Sequence, residues 1–210
     1  MVPPGGFRRS GQKVAKRLAI DPQIVDEARF LKSWLDRPLI TGAVSPSGKQ
    51  LARTMARYVD TSLPGPVIEL GPGTGPVTEA LIRHGVAEDR LILLEFNPDF
   101  CRLLRKRFPK ATILEGDAYA LRKTVGLLAE PASAIVSSLP LFTRPETQRL
   151  ALLHDGFDMM QPGSPFIQFT YATVSPMPLR NRDFDIEVSP RIWLNLPPAR
   201  VWVYRASERH

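Results

Sequence analysis

Cysteine is almost missing from this chain: Cys101 is its one example in 210 residues. An internal disulfide is excluded, and the composition fits a reducing compartment such as the bacterial cytoplasm. Histidine is nearly as scarce. His84, His154 and His210 show no ligand spacing and no cysteine cluster beside them, so no metal site is expected. Hydrophobic residues make up 43% of the chain, yet long apolar runs are lacking. No window approaches the roughly 18 uninterrupted apolar residues that a spanning helix needs. Residues 1–10 are rich in Pro, Gly and Arg where a secretory signal would carry its apolar core, which argues against export. Neither an internal repeat nor a low-complexity tract is visible. Acidic side chains are also in deficit, 21 against 28 Lys and Arg, for a net charge of +7. Such a surface favours an anionic partner, and RNA, DNA and an anionic lipid surface all qualify.

The length suits one α/β domain behind an N-terminal extension and is short for two enzyme domains. Residues 1–20, with Arg8, Arg9, Lys13, Lys16 and Arg17, read as a basic arm. Asp21 then looks like an N-cap before Pro22 at the first helical position, opening a helix to about Asp36. Its apolar residues Ile24, Ala28, Leu31, Trp34 and Leu35 recur at three- and four-residue spacing, with Arg29 and Lys32 elsewhere on the circumference. A loop over 38–47 and a second helix over 48–59 follow. Residues 21–60 thus form a helical lid or membrane segment, and 61–210 form the main domain.

From residue 67 short apolar strands alternate with helices. Strands are expected at 67–70, 90–95, 111–115, 134–137 and 166–170, and helices at 76–84, 98–108, 118–128 and 145–160. Such alternation calls for a parallel sheet covered on both faces. The end differs, because 184–194 and 200–205 are strand-like runs joined through Pro197 and Pro198 with no helix between them. Two such strands pair antiparallel or sit apart. A mostly parallel seven-stranded sheet with an antiparallel last strand is the Rossmann-like arrangement of the class I methyltransferase fold.

The segment from Val67 to Pro76 reads V-I-E-L-G-P-G-T-G-P: a buried strand, a glycine-rich turn and a helix begun by proline. Gly71, Gly73 and Gly75 let the backbone turn tightly and approach a ligand. A dinucleotide site prefers its third glycine one position later and offers a helix N-terminus to a pyrophosphate. Glu69 would repel that pyrophosphate, but would attract the ammonium and sulfonium of S-adenosylmethionine. The charge logic therefore selects the sulfonium cofactor. Pro72 and Thr74 complete the turn. Glu95 ends the next strand, where an acid accepts from ribose hydroxyls, with Phe96 beside it. Asp117 and Ala118, one strand further, are placed for the adenine, and Ser137 closes the fourth strand. Taken singly, Glu95 and Asp117 also read as helix caps or surface acids. Their order at successive strand ends carries the argument.

After the fourth strand comes A-I-V-S-S-L-P-L-F, Ala134 to Phe142, where class I enzymes present the methyl acceptor. The stretch 68–170 resembles the rRNA adenine dimethyltransferases, whose fourth strand ends in an Asn-Leu-Pro-Tyr type motif. An RNA methyltransferase of that kind is the alternative reading. Here the matching residues are Ser138, Leu139, Pro140 and Leu141, so the amide and the stacking ring that would hold a base are both replaced. A closer resemblance, over most of the chain, is to the soluble bacterial phospholipid N-methyltransferases. It is carried by F-L-K-S-W-L (Phe30 to Leu35), T-G-A-V-S-P-S-G-K (Thr41 to Lys49), E-L-G-P-G-T-G (Glu69 to Gly75), S-S-L-P (Ser137 to Pro140) and Q-F-T-Y (Gln168 to Tyr171).

That resemblance implies stepwise N-methylation of phosphatidylethanolamine towards phosphatidylcholine by a cytoplasmic protein on the inner face of the cell membrane. A monomer with no nucleic-acid partner is expected. The helix 21–36 would meet anionic lipids such as phosphatidylglycerol and cardiolipin. Ser138 and Tyr171 are the candidate catalytic residues on the acceptor side. Phe142 and Phe169 are further candidates for aromatic contact with a quaternary ammonium, although both also read as core residues.

Overall fold

The computed structural model describes residues 46–180, 183–195 and 197–207. The basic arm, the helix expected over 21–36 and most of the loop before residue 48 lie outside that range. The first described helix, α1 (Pro46–Ala56), begins two residues before the expected start, with Pro46 tolerated in the first turn because no intrahelical N–H is needed there.

A seven-stranded sheet follows, formed by β1 (Val67–Leu70), β2 (Leu91–Glu95), β3 (Thr112–Glu115), β4 (Ala134–Ser137), β5 (Phe166–Thr170), β6 (Phe184–Val188) and β7 (Arg200–Ala206). Its order is β3-β2-β1-β4-β5-β7-β6. The first five strands are parallel, and β7 inserts antiparallel between β5 and β6. This is the Rossmann-like methyltransferase architecture that the strand and helix alternation predicts, with the antiparallel last strand. The remaining helices are α2 (Pro76–His84), α3 (Pro98–Arg107), α4 (Leu121–Val125) and α5 (Glu146–Met159).

Alternation along each strand divides the core between the two faces of the sheet. On one, Val67, Leu91, Leu93, Val136 and Phe169 pack with Met55 of α1, Leu81 of α2 and Leu104 of α3. On the other, Ile68, Leu70, Leu94 and Ile135 pack with Leu121 of α4, Leu152 and Leu153 of α5, and Met177. Apolar residues facing both ways are what a parallel sheet with helices on each side requires.

Most boundaries fall within a residue or two of the expected ones, and three of the differences have a local cause. Arg90 closes a short 3-10 turn rather than opening β2; its guanidinium donates to the carbonyls of Thr61, Leu63 and Gly65 and fastens the loop below the sheet. The helix expected over 118–128 splits into a 3-10 turn and α4, which stops at Gly126, a residue at φ 74°. The strand expected over 184–194 ends at Val188, and Pro190 has no N–H to continue the ladder.

Helix α1 runs alongside α2 in the same direction. His84 Nε2 sits 3.1 Å from the Val59 carbonyl, joining the two helices below their C-terminal ends. Since α2 starts at the glycine turn, Pro46 stands towards the edge where the strands β1 to β5 end.

Candidate functional site

All the expected cofactor residues lie along one edge of the sheet. Strand registers align Leu70 with Leu94 and with Ser137, Glu95 with Glu115, and Ser137 with Gln168. Hydrogen bonds extend these ladders into the loops, from Gly71 N to Leu94 O at 2.9 Å, Gly116 N to Glu95 O at 3.0 Å, and Ser138 N to Leu70 O at 2.9 Å. The glycine turn, the loop after β2 and the acceptor loop after β4 are thereby held as one rim.

The three glycines of the turn have left-handed φ values and different surroundings. A Cβ on Gly75 would lie 2.5 Å from the Phe108 ring, and one on Gly71 would lie 3.1 Å from Leu139 of the acceptor loop. A Cβ on Gly73 would meet nothing within 4 Å. Gly71 and Gly75 therefore serve packing, while Gly73 faces the open cradle. The Thr74 carbonyl accepts from Arg107 Nη1, while Nη2 of the same guanidinium donates to Glu79, so the end of α3 steadies the turn.

Two acids stand beneath the turn. Glu69 is fully buried, and its Oε2 accepts from Thr78 Oγ1 at 2.7 Å. Its Oε1 is buried with no hydrogen-bond partner among the described residues. Burial pushes its pKa from the ordinary 4.5 up to about 8, against the Thr78 hydrogen bond that lowers it and with help from nearby Glu95. A cationic ligand group near Oε1 would favour the ionised form. Glu95 is also buried; Oε2 accepts from Gly73 N at 3.0 Å and Oε1 from Asn97 N at 2.8 Å. Each oxygen keeps lone-pair capacity for a further donor such as a ribose hydroxyl.

At the next strand end Asp117 is exposed and caps the 3-10 turn by accepting from Tyr119 N at 2.9 Å, while Ala118 is buried. Phe96 is 77% exposed beside Glu95. An aromatic ring held in water at the cofactor edge is suited to cover a flat base. The orphaned carboxylate oxygen, the open cradle before Gly73 and the two acids on neighbouring strands fit a ligand with a cationic end and a ribose. They suit a phosphate poorly.

On the acceptor side Ser137 is buried and its Oγ accepts from Leu139 N at 3.3 Å. Ser138 is half-buried at the rim. Leu141, at the position of the stacking aromatic, is 2% exposed and packs into the core on the α5 face.

The three aromatics considered for an ammonium are divided between the two faces of the sheet. Phe169 is in the core, with half-buried Tyr171 edge-on to it at 5.5 Å. Phe142 lies on the other side beneath Arg149, whose guanidinium is 5.4 Å from the ring centroid.

Two polar residues contribute that the sequence reading did not select. Gln168 is buried in β5, and its Nε2 donates to Leu139 O at 3.0 Å and Phe169 O at 2.7 Å, tying the acceptor loop to the sheet. Thr78 holds Glu69. A lone amide within the apolar run F-I-Q-F-T, and a threonine two residues into α2, were the available signals.

No family model matches the chain. It is 32% identical over 184 residues to the ornithine lipid N-methyltransferase of Singulisphaera acidiphila, covering 84% of this chain and 94% of that protein. A ribosomal RNA small subunit methyltransferase A from a Synechococcus strain is 37% identical over 92 residues, which cover 42% of this chain and 30% of that enzyme. Among solved structures, the N-methyltransferase NodS from Bradyrhizobium japonicum WM9 in complex with S-adenosyl-L-homocysteine has a TM-score of 0.61 at 16% identity, over 86% of this chain and 98% of that one. Magnesium protoporphyrin IX methyltransferase from Synechocystis PCC 6803 with bound S-adenosylmethionine gives 0.59 at 13%, over 91% and 100%.

Proposed function

The chain is a class I S-adenosylmethionine-dependent methyltransferase and belongs to the family of the ornithine lipid N-methyltransferase of Singulisphaera acidiphila; from that premise we propose that it N-methylates the amine headgroup of a membrane lipid. The substrate in this reading is phosphatidylethanolamine, with its mono- and dimethyl derivatives, taken towards phosphatidylcholine. The observation that carries it is likeness to a lipid N-methyltransferase over nearly that protein's whole length, whereas the sequence likeness to ribosomal RNA small subunit methyltransferase A covers 42–44% of this chain and about a third of that enzyme. A second reading, ornithine lipid itself, rests on the same relative.

The acceptor loop supports a headgroup over a base. Ser138 replaces an amide, and Leu141 is turned into the core where a stacking ring would have to face outward. When bound, S-adenosylmethionine supplies a methyl group already activated on a sulfonium. The protein's share is placement, water exclusion and selection of the neutral amine, whose proton has left to water before transfer. Glu69 Oε1 is available to the cofactor's cationic end, Glu95 to its ribose, and Gly73 leaves the room. Ser138 and Tyr171 border the acceptor path.

The test is incubation with S-adenosylmethionine and, in parallel, phosphatidylethanolamine vesicles, ornithine-lipid vesicles and RNA, with products identified by mass spectrometry. Methylated phosphatidylethanolamine is expected. Methylated ornithine lipid alone would transfer the assignment to the second reading, and methylated RNA alone would overturn both.

A further inference from the structure

The β6–β7 connection reaches the same sheet edge as the cofactor cradle. Arg200, the first residue of β7, pairs with Thr170, the last of β5, and Val188 ends β6 opposite Trp202. Residues 189–195 and 197–199 therefore lie in a tip beyond that edge. The tip is firmly built. Ile192 and Ala199 exchange backbone hydrogen bonds of 2.8 and 3.3 Å, and both are buried. Asn195 is 3% exposed and donates from Nδ2 to Pro197 O at 2.7 Å. Ser189 pins the base, with N to Val201 O at 2.9 Å and Oγ accepting from Val201 N at 3.0 Å.

Between these anchors Trp193 is 73% exposed and Leu194 71%. A turn pinned by these backbone, Ser189 and Asn195 hydrogen bonds thus holds two large apolar side chains in water. Val188 at the end of β6 and Val174 after β5 are also exposed on this side of the same edge. An apolar cluster on a rim marks a contact surface. Its charge names the partner. The stretch 189–206 contains three arginines and no acid. Arg205 pairs with Glu187, whereas Arg191 and Arg200 make no ion pair among the described residues. The Arg191 guanidinium lies 5.5 Å from the Trp193 ring centroid, so cation and indole are presented together.

We propose that the β6–β7 tip inserts into an anionic bilayer, with Trp193 and Leu194 in the headgroup boundary and Arg191 and Arg200 against lipid phosphates. Indole, leucine and arginine side by side match that boundary: leucine is apolar throughout, while indole and arginine each carry an apolar body with a polar tip. Insertion turns the edge with the acceptor loop towards the lipid. The inference rests on the lipid N-methyltransferase reading, and its test is chosen so that the two can fail separately.

In the full chain carrying Trp34→Phe, the remaining tryptophans are Trp193 and Trp202, the latter buried in β7. Vesicles of phosphatidylethanolamine and phosphatidylglycerol with acyl chains brominated near the headgroup should shift the emission to the blue and quench it. A further Trp193→Phe change should abolish that response. Leu194→Asp should weaken vesicle co-sedimentation about tenfold, the equivalent of keeping one leucine out of the apolar phase. It should slow methylation of vesicle lipid and leave methylation of a short-chain, water-dispersed phosphatidylethanolamine unchanged. No methylation of the dispersed lipid by the unmodified chain would defeat the functional reading, while the fluorescence still decides the tip. The proposal is overturned if Trp193 emission ignores bound vesicles, or is already blue because residues 1–45 cover it. It is likewise overturned if RNA shifts the emission and vesicles do not, or if Leu194→Asp slows both lipid forms equally.

Discussion

Glu95 and Gly73 are joined by a 3.0 Å hydrogen bond from the Gly73 N–H to the carboxylate, across the heads of β2 and β1. One oxygen of the proposed ribose acceptor therefore also shapes the turn that receives the cofactor. Glu95→Ala should lose affinity by both routes, with charge-assisted hydrogen bonds worth about 1.5–3 kcal/mol each. Glu95→Gln should keep a carbonyl for the Gly73 N–H and lose less. Calorimetric titration with S-adenosylhomocysteine checks both, and unchanged affinity in the alanine variant would remove Glu95 from the site.

The glycines separate binding from folding. Gly75→Ala drives a Cβ to 2.5 Å from the Phe108 ring at φ 87°, so the melting temperature should fall by several degrees, with about 1–3 kcal/mol lost. Gly73→Ala bears the cost of its φ of 57° and no protein clash, so its stability loss should be the smaller while cofactor affinity drops more. Equal loss of stability in both would mean that the cradle before Gly73 is not a ligand space.

Glu69 makes stability depend on pH in an unusual direction. Its pKa is raised from 4.5 to about 8, so the folded state binds an extra proton between those values. Stability should fall as pH rises through that window and level off above it, by on the order of a few kcal/mol. Glu69→Gln should flatten the dependence while keeping an acceptor for Thr78. Cofactor binding near pH 7 should release a proton from the wild type, seen as a buffer-dependent heat. A buffer-independent heat would place the cationic end of the cofactor elsewhere.

Much of this was legible in the chain, and the exceptions have physical causes. The glycine turn and the succession of strands and helices follow from local patterns, because a buried parallel strand and a proline-started helix announce themselves over a few residues. The partner of Glu69 did not, since Thr78 is set there by the helix turning back over β1. Nor did the tip at Trp193: 184–194 reads as one continuous strand, and only Pro190 breaking the ladder turns its second half into an exposed loop. The separation of Phe142 from Tyr171 depends on which sheet face each chain segment leaves, which no spacing encodes.

Tyr171 is half-buried and edge-on to Phe169. As an acceptor-side residue, Tyr171→Ala should lower kcat/KM for lipid methylation more than affinity for S-adenosylhomocysteine. Loss of the edge contact should cost only about 0.5–1.5 kcal/mol of stability. Parallel losses of activity, cofactor affinity and melting temperature would instead make it a packing residue of the α1 face.

The helix expected over 21–36 precedes α1, whose first residue stands towards the cofactor edge. A membrane anchor leading into that point would bring lipid to the acceptor loop, and a lid would cover it. Each basic residue near an anionic surface contributes about 1 kcal/mol, so binding to phosphatidylglycerol or cardiolipin vesicles should weaken as salt rises, and neutral vesicles should bind poorly. Trp34→Glu removes an aromatic from the bilayer boundary and adds repulsion, so co-sedimentation should fall while S-adenosylhomocysteine still binds. Combined with Leu194→Asp, the loss should be close to the sum of the two in free energy, because a helix before α1 and the β6–β7 tip would touch the bilayer separately. Wild-type sedimentation by Trp34→Glu, or equal binding of neutral and anionic vesicles by the unmodified chain, would leave the segment as a lid alone.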